Sequence, residues 1–136
     1  MTALVTGLYA GLLVLLLLVL GMRITLLRGK LHVGSGHGND PLLARAIRVH
    51  ANAVEWILPM LVVLLVAELD GANRTFLHVC GVTFVAARIA HAVGVSRTTK
   101  ESRGRFWGMA GTWGVIAVLA FWDVAALARI NLRFLF

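Results

Sequence analysis

In the stretch RVHANAVEWILP, residues 48–59, an arginine, an asparagine and a glutamate recur at i, i+4 and i+7 just before a strongly apolar run. On a helix, at ~100° per residue, Arg48, Asn52 and Glu55 fall on one stripe, which Arg45 and Pro59 extend. Such a stripe can recognise a small charged molecule. Guanidinium groups clamp carboxylates through paired donors, a carboxylate receives an ammonium or orients an arginine, and an amide both donates and accepts. His50 projects from nearly the opposite side, where it is suited to bonding another helix or a loop. A second set, Arg88 and His91 in ARIAH, lies three residues apart on one face near the end of another apolar segment, and Arg103 and Arg105 follow in the next basic loop. Arg45, Arg48, Arg88, Arg103 and Arg105 together outnumber Glu55. That surplus favours an anionic ligand or lipid headgroups over the plainer alternative, a buried ion pair that only joins helices.

The elements that carry these residues follow from composition. The chain has 136 residues, 60% hydrophobic and 14% charged, with a mean hydropathy of +0.87. These values suit a membrane better than a soluble domain. The formal charge of +7 accompanies four apolar segments, so the basic residues belong at membrane edges and nucleic acid is not an expected partner. Cys80 stands alone in an apolar segment, which excludes an intrachain disulfide and a thiolate metal cluster; no metal site is expected. The first apolar segment has no basic n-region before it and no small-residue cleavage site before Arg23, so it is expected to be a retained span.

One all-α domain over residues 1–136 is expected, an integral membrane four-helix bundle with helices at about 3–27, 41–69, 75–95 and 105–128. In the second helix the wholly apolar part, Trp56 to Ala67, covers only ~18 Å and cannot span ~30 Å of hydrocarbon. The polar half must therefore extend the same helix with its charges attached. Each charge costs ~2.5–3.5 kcal/mol at the centre of a bilayer, so these side chains should face protein or a water-filled cavity. Arg23, Arg28, Lys30, Arg97, Lys100, Arg103 and Arg105 flank one side of the four segments, against Arg74, Arg129 and Arg133 on the other. The bias of Lys and Arg toward the cytoplasm then places the first and third loops there.

With those residues in view, RVHANAVEWILP resembles the signature of the MAPEG family, the membrane-associated proteins in eicosanoid and glutathione metabolism. HVGSGHGNDPLLARAI, LHVCGVTFVAARIAHAVGV and GMAGTWGVIAVLA follow the order and lengths of its small bacterial members, over nearly the full chain. The resemblance implies a homotrimer of four-helix subunits in the bacterial inner membrane, with glutathione bound between subunits near the cytoplasmic side. Its thiolate would serve conjugation, peroxide reduction or isomerisation of lipophilic substrates. On that basis Arg48, Asn52, Glu55, Arg88 and His91 would hold glutathione together with Arg28 of the first helix, for which Arg23 competes, and Arg103 or Arg105 would stabilise the thiolate. The chain departs from some mammalian members at Ala51, where they have a second basic residue, and at Val95, where they have a tyrosine. Its only tyrosine is Tyr9, so a thiol with a reference pKa near 8.5 would have to be acidified by guanidinium charge alone. The alternative function is a non-catalytic trimer that binds anionic lipid or another small anion in the same basic pocket. A transporter or haem protein built on His50, His78 and His91 carries little weight, because repeated halves and broken helices are not evident.

Overall fold

A computed structural model describes residues 2–98 and 102–135, except for the side chains of residues 127 and 129–135. Lys100 and the side chains of Arg129 and Arg133, counted above for orientation, lie outside the described residues. The chain forms four helices, α1 (Leu4–Leu31), α2 (Pro41–Leu69), α3 (Arg74–Arg97) and α4 (Arg103–Leu135). Each is long and apolar enough to cross a membrane. The order matches the sequence expectation, while three helices run further than anticipated. α1 continues past residue 27 to Leu31, because Arg28 and Lys30 complement its C-terminal dipole instead of ending it. It stops where His32 turns left-handed, with φ 53°, ahead of the glycine-rich loop.

The helix starts are chemically distinct. At α2, Asp40 caps by accepting from Leu43 N at 2.7 Å, and Pro41 occupies the first turn. At α3, Asn73 accepts from Thr75 N at 2.8 Å after a tight turn in which Gly71 takes φ 83°. α1 has no side-chain cap from its own N-cap residue, Ala3. Glu68, at the far end of α2, fills that role: its two carboxylate oxygens accept from Val5 N at 2.8 Å and Thr6 N at 2.6 Å. A cap supplied from another helix satisfies donors that would otherwise be stranded in an apolar surround, and it fixes the register of α1 against α2.

The core is apolar and continuous, with Leu13, Ile57, Met60, Leu64, Phe84 and Leu119 all nearly inaccessible. Large apolar residues such as Leu18, Val19, Val62, Val82 and Phe121 cover the outer faces. That pattern suits lipid, since helices in a bilayer associate through packing and not by hiding apolar area from water. At the glycines, the close approach of one helix backbone to another is between α3 and α4. A Cβ added at Gly94 would come 2.5 Å from Arg105 N, and one at Gly108 would come 2.6 Å from His91 N. The glycines therefore set how closely Arg88 and His91 approach α4.

Candidate functional site

Up-and-down topology brings the end of α1, the start of α2, the end of α3 and the start of α4 to one end of the bundle. Arg45, Arg48 and His50 of α2 and Arg88 and His91 of α3 lie in that half. On α2 the inward line is Leu43, Ala46, Val49, Ala53, Ile57 and Met60. This line runs beside one edge of the stripe expected from spacing. Arg48 and Glu55 are exposed on the outer face, whereas Asn52 is half-buried at the seam with α3 and α4. Neither Arg48 nor Glu55 makes a hydrogen bond or ion pair among the described residues. His50 points the other way, as its position on the helix predicts, and its ring lies against Gly21 of α1.

Arg88 is the largest fully buried side chain, 1% exposed. Its Nη2 donates to Asn52 Oδ1 at 2.8 Å and its Nη1 donates to Thr112 Oγ1 at 3.3 Å. Thr112 in turn donates to Gly108 O at 2.8 Å. A guanidinium in such a place is tolerable only because these acceptors meet it and because Glu55, one turn beyond Asn52, acts on it electrostatically. The bond also settles the orientation of the amide. With Oδ1 committed to Arg88, Asn52 presents its NH2 group to anything that arrives from outside, so it recognises an acceptor.

His91 is likewise buried, 4% exposed, and its Nδ1 lies 3.2 Å from the carbonyl oxygen of Arg105. A carbonyl only accepts, so Nδ1 carries the proton in this arrangement. His91 thus ties α3 to the first turn of α4, the turn that carries Arg103 and Arg105, both exposed. Ser102 Oγ accepts from Arg105 N at 3.2 Å and holds the same turn. Beside Asn52 and Glu55, the rings of Trp56 and Trp113 pack with centroids 6.1 Å apart and form an aromatic wall.

The candidate residues therefore fall into two layers. Arg48, Glu55, Arg103 and Arg105 are exposed, and Asn52 is half-buried. Arg88 and His91, which the resemblance implies hold glutathione, are buried inside the single chain, the first bonded to Asn52 and Thr112 and the second to the α4 turn. Arg28 donates to Gly34 O at 2.8 Å and closes its own loop. Arg23, its competitor, donates to Ser96 Oγ at 2.7 Å, and Arg45 reaches Ser96 O at 3.4 Å from α2. Spacing along single helices did not reveal Thr112, Ser96, Trp113 or Glu68, since each partner lies on a different element. The faint signal for Thr112 was a lone hydroxyl in the apolar GTWG run. Tyr9 is remote from this end: its hydroxyl lies 3.0 Å from His78 Nδ1 and donates to His78 O at 3.1 Å.

Two comparisons bear on this arrangement. The sequence profile of the MAPEG family matches residues 6–125. The chain is also 36% identical over 115 residues to the inner membrane protein YecN of Escherichia coli K12, an alignment that covers 85% of this chain and 86% of that protein. YecN of Escherichia coli O6:H1 strain CFT073 gives the same figures.

Proposed function

Because the chain belongs to the MAPEG family, we propose that it is a glutathione-dependent transferase or peroxidase of lipophilic electrophiles, working as a homotrimer in a bacterial inner membrane. Its first and third loops face the cytoplasm in this proposal. The observation that carries it is the pair of exposed, unpartnered charges on α2 with the oriented amide between them. Arg48 and Glu55 are seven residues apart, ~10.5 Å along a helix. An extended tripeptide is about as long, ~10 Å, and glutathione carries carboxylates at both ends and an ammonium at one. Arg48 suits a carboxylate, Glu55 the ammonium, and the Asn52 NH2 group a peptide carbonyl between them. One chain supplies only one wall of such a site, so a neighbouring subunit is the natural second wall.

Bound there, glutathione supplies a sulfur nucleophile. Arg103 and Arg105, on the turn where His91 and Ser102 hold the Arg105 backbone, contribute the positive charge that favours the ionised form of a nearby thiol. The aromatic pair Trp56 and Trp113 offers an apolar surface for a substrate that arrives from the bilayer. Tyr9 favours a second reading, because its bonds to His78 keep the only phenol of the chain away from this end. In that reading the pocket binds an anion, including an anionic lipid, without chemistry.

The two readings separate in an ultraviolet difference spectrum of the detergent-solubilised protein with glutathione, taken together with equilibrium binding. An active site gives both binding and a thiolate band. Binding alone supports the second reading. The first reading fails if the tripeptide does not bind, or binds equally well to Arg48→Ala and Glu55→Gln, and absence of both signal and binding favours the second.

A further inference from the structure

An open hollow on the molecule lies away from Asn52. It lies along the outer face of α1, about 530 Å³ in volume, walled by Leu18, Val19, Met22, Leu26 and Leu27, with Arg23 and Lys30 on its border. The wall is almost wholly apolar, and both cations lie toward the same end of the helix. Arg23 is bonded across to Ser96, the penultimate residue of α3, so it sits at the level where α3 ends. α1 continues for two further turns beyond that level, to Leu31, and carries Lys30 with it. Arg45 approaches the same serine from α2. Arg23 and Arg45 thus converge on one residue, and no acid is bonded to either among the described residues. Arg45 Nε is buried without a partner. Arg23 has five donors and spends one on Ser96.

An apolar trough that ends in unneutralised guanidinium and ammonium groups at the depth where helices leave the membrane has the charge and shape of a phospholipid turned inside out. We infer that this face of α1 binds one anionic phospholipid, with an acyl chain along Leu18, Val19, Met22 and Leu26 and its phosphate on Arg23 and Lys30. Arg45 reinforces the field from behind Ser96. The site is separate from the Arg48, Asn52 and Glu55 face, and it holds whether or not glutathione binds there. A zwitterionic lipid fits the trough equally well but leaves the cations less well neutralised, so selectivity resides in the headgroup.

The test is native mass spectrometry of the purified protein released from mixed phosphatidylglycerol and phosphatidylcholine vesicles, with lipid retention scored per chain. The wild type should keep phosphatidylglycerol in preference. Lys30→Gln, an exposed change that leaves the fold intact, should reduce that preference roughly fivefold, and Arg23→Gln by at least as much. Val19→Trp, which fills the trough, should reduce retention of both lipids. Unchanged preference in Lys30→Gln and Arg23→Gln overturns the inference. So does competition by glycerol phosphate at the same concentration, which would mark a site for free phosphate. A Met22→Cys thiol that stays shielded from a membrane-soluble maleimide after delipidation would give the trough to a second copy of the chain and overturn it as well.

Discussion

The bond from Arg88 to Asn52 yields the sharpest test of the inner layer, because it can be probed without knowing any ligand. Asn52→Ala removes the shorter of the two side-chain acceptors on a guanidinium that is 1% exposed, leaving it only the 3.3 Å contact with Thr112. A hydrogen bond to a charged group contributes ~1.5–3 kcal/mol, and a charged group left buried costs more than the bond it loses. Asn52→Ala should therefore destabilise the protein by about 2–3 kcal/mol. Arg88→Met in the wild-type background loses the same bond but also removes the buried charge, and Met fills most of the vacated volume. Replacing a buried ionic group by an apolar side chain of similar size is often neutral or stabilising, so this variant should lie within about 1 kcal/mol of wild type. In the double variant the penalty of Asn52→Ala should largely vanish, giving a coupling of about 1.5–3 kcal/mol. Reversible unfolding in mixed micelles, run as a double-mutant cycle, measures it. Additive effects, or an Asn52→Ala variant as stable as wild type, would show that Arg88 does not depend on this amide and that Asn52 is free to turn either way.

Four further outcomes follow from the fold. Glu68→Ala strips the cap from α1 and should cost about 1–2 kcal/mol, with faster hydrogen exchange at the amides of residues 5 and 6; unchanged exchange there refutes the cross-helix cap. Gly108→Ala forces a methyl group against the His91 amide and should cost about 1–3 kcal/mol, while Gly114→Ala, with open space around it, should change stability by less than 0.5 kcal/mol, on the order expected for an uncrowded site. Tyr9→Phe gives up the hydroxyl bonds to His78 for about 1 kcal/mol of stability, and glutathione binding should not change; a large loss of binding would contradict a ligand site at the opposite end. Ser35→Cys in loop one should react with an impermeant thiol reagent only from the cytoplasmic side of oriented vesicles and Asp70→Cys only from the other, in a Cys80→Ser background; the reverse pattern refutes the proposed orientation.

Four uncharged or sparsely charged segments made the helix count legible from the sequence. The extent of α1 was less so, because Arg28 and Lys30 look like loop residues until the helix is seen to outlast the apolar run. Period alone correctly placed Arg48, Asn52 and Glu55 near one another, and set His50 apart. It could not say which edge of the stripe turns inward. That depends on where α3 and α4 lie, and the decision falls between adjacent positions: Asn52 is half-buried at the seam while Arg48 and Glu55, rotated a few tens of degrees away, are exposed. Arg88 and His91 were recognisable as special by type, yet their burial follows from the glycines at 94, 104 and 108, which draw α4 over them. A sequence shows that those glycines are small; only packing shows what comes close to them.

The outer layer also bears on assembly. An arginine and a glutamate left against acyl chains cost ~2.5–3.5 kcal/mol each near the bilayer centre, ~5–7 kcal/mol for Arg48 and Glu55 together, with less near the interface. Neither charge has a hydrogen bond or ion pair among the described residues: the bond that anchors Asn52 turns inward to Arg88, and only the longer-range attraction between Glu55 and Arg88 offsets part of that cost. The ~10.5 Å between them along α2 is too long for a direct ion pair. A molecule with complementary charges at both ends can meet the two at once, and a second protein surface can exclude lipid from them. The proposed glutathione and the proposed neighbouring subunit therefore answer the same energetic demand. Each should strengthen the other, so glutathione should raise the stability of the oligomer in detergent and subunit dissociation should abolish tight binding. Equal affinity for glutathione in the monomer and the oligomer would separate the two and leave the exposed pair on α2 without its second wall.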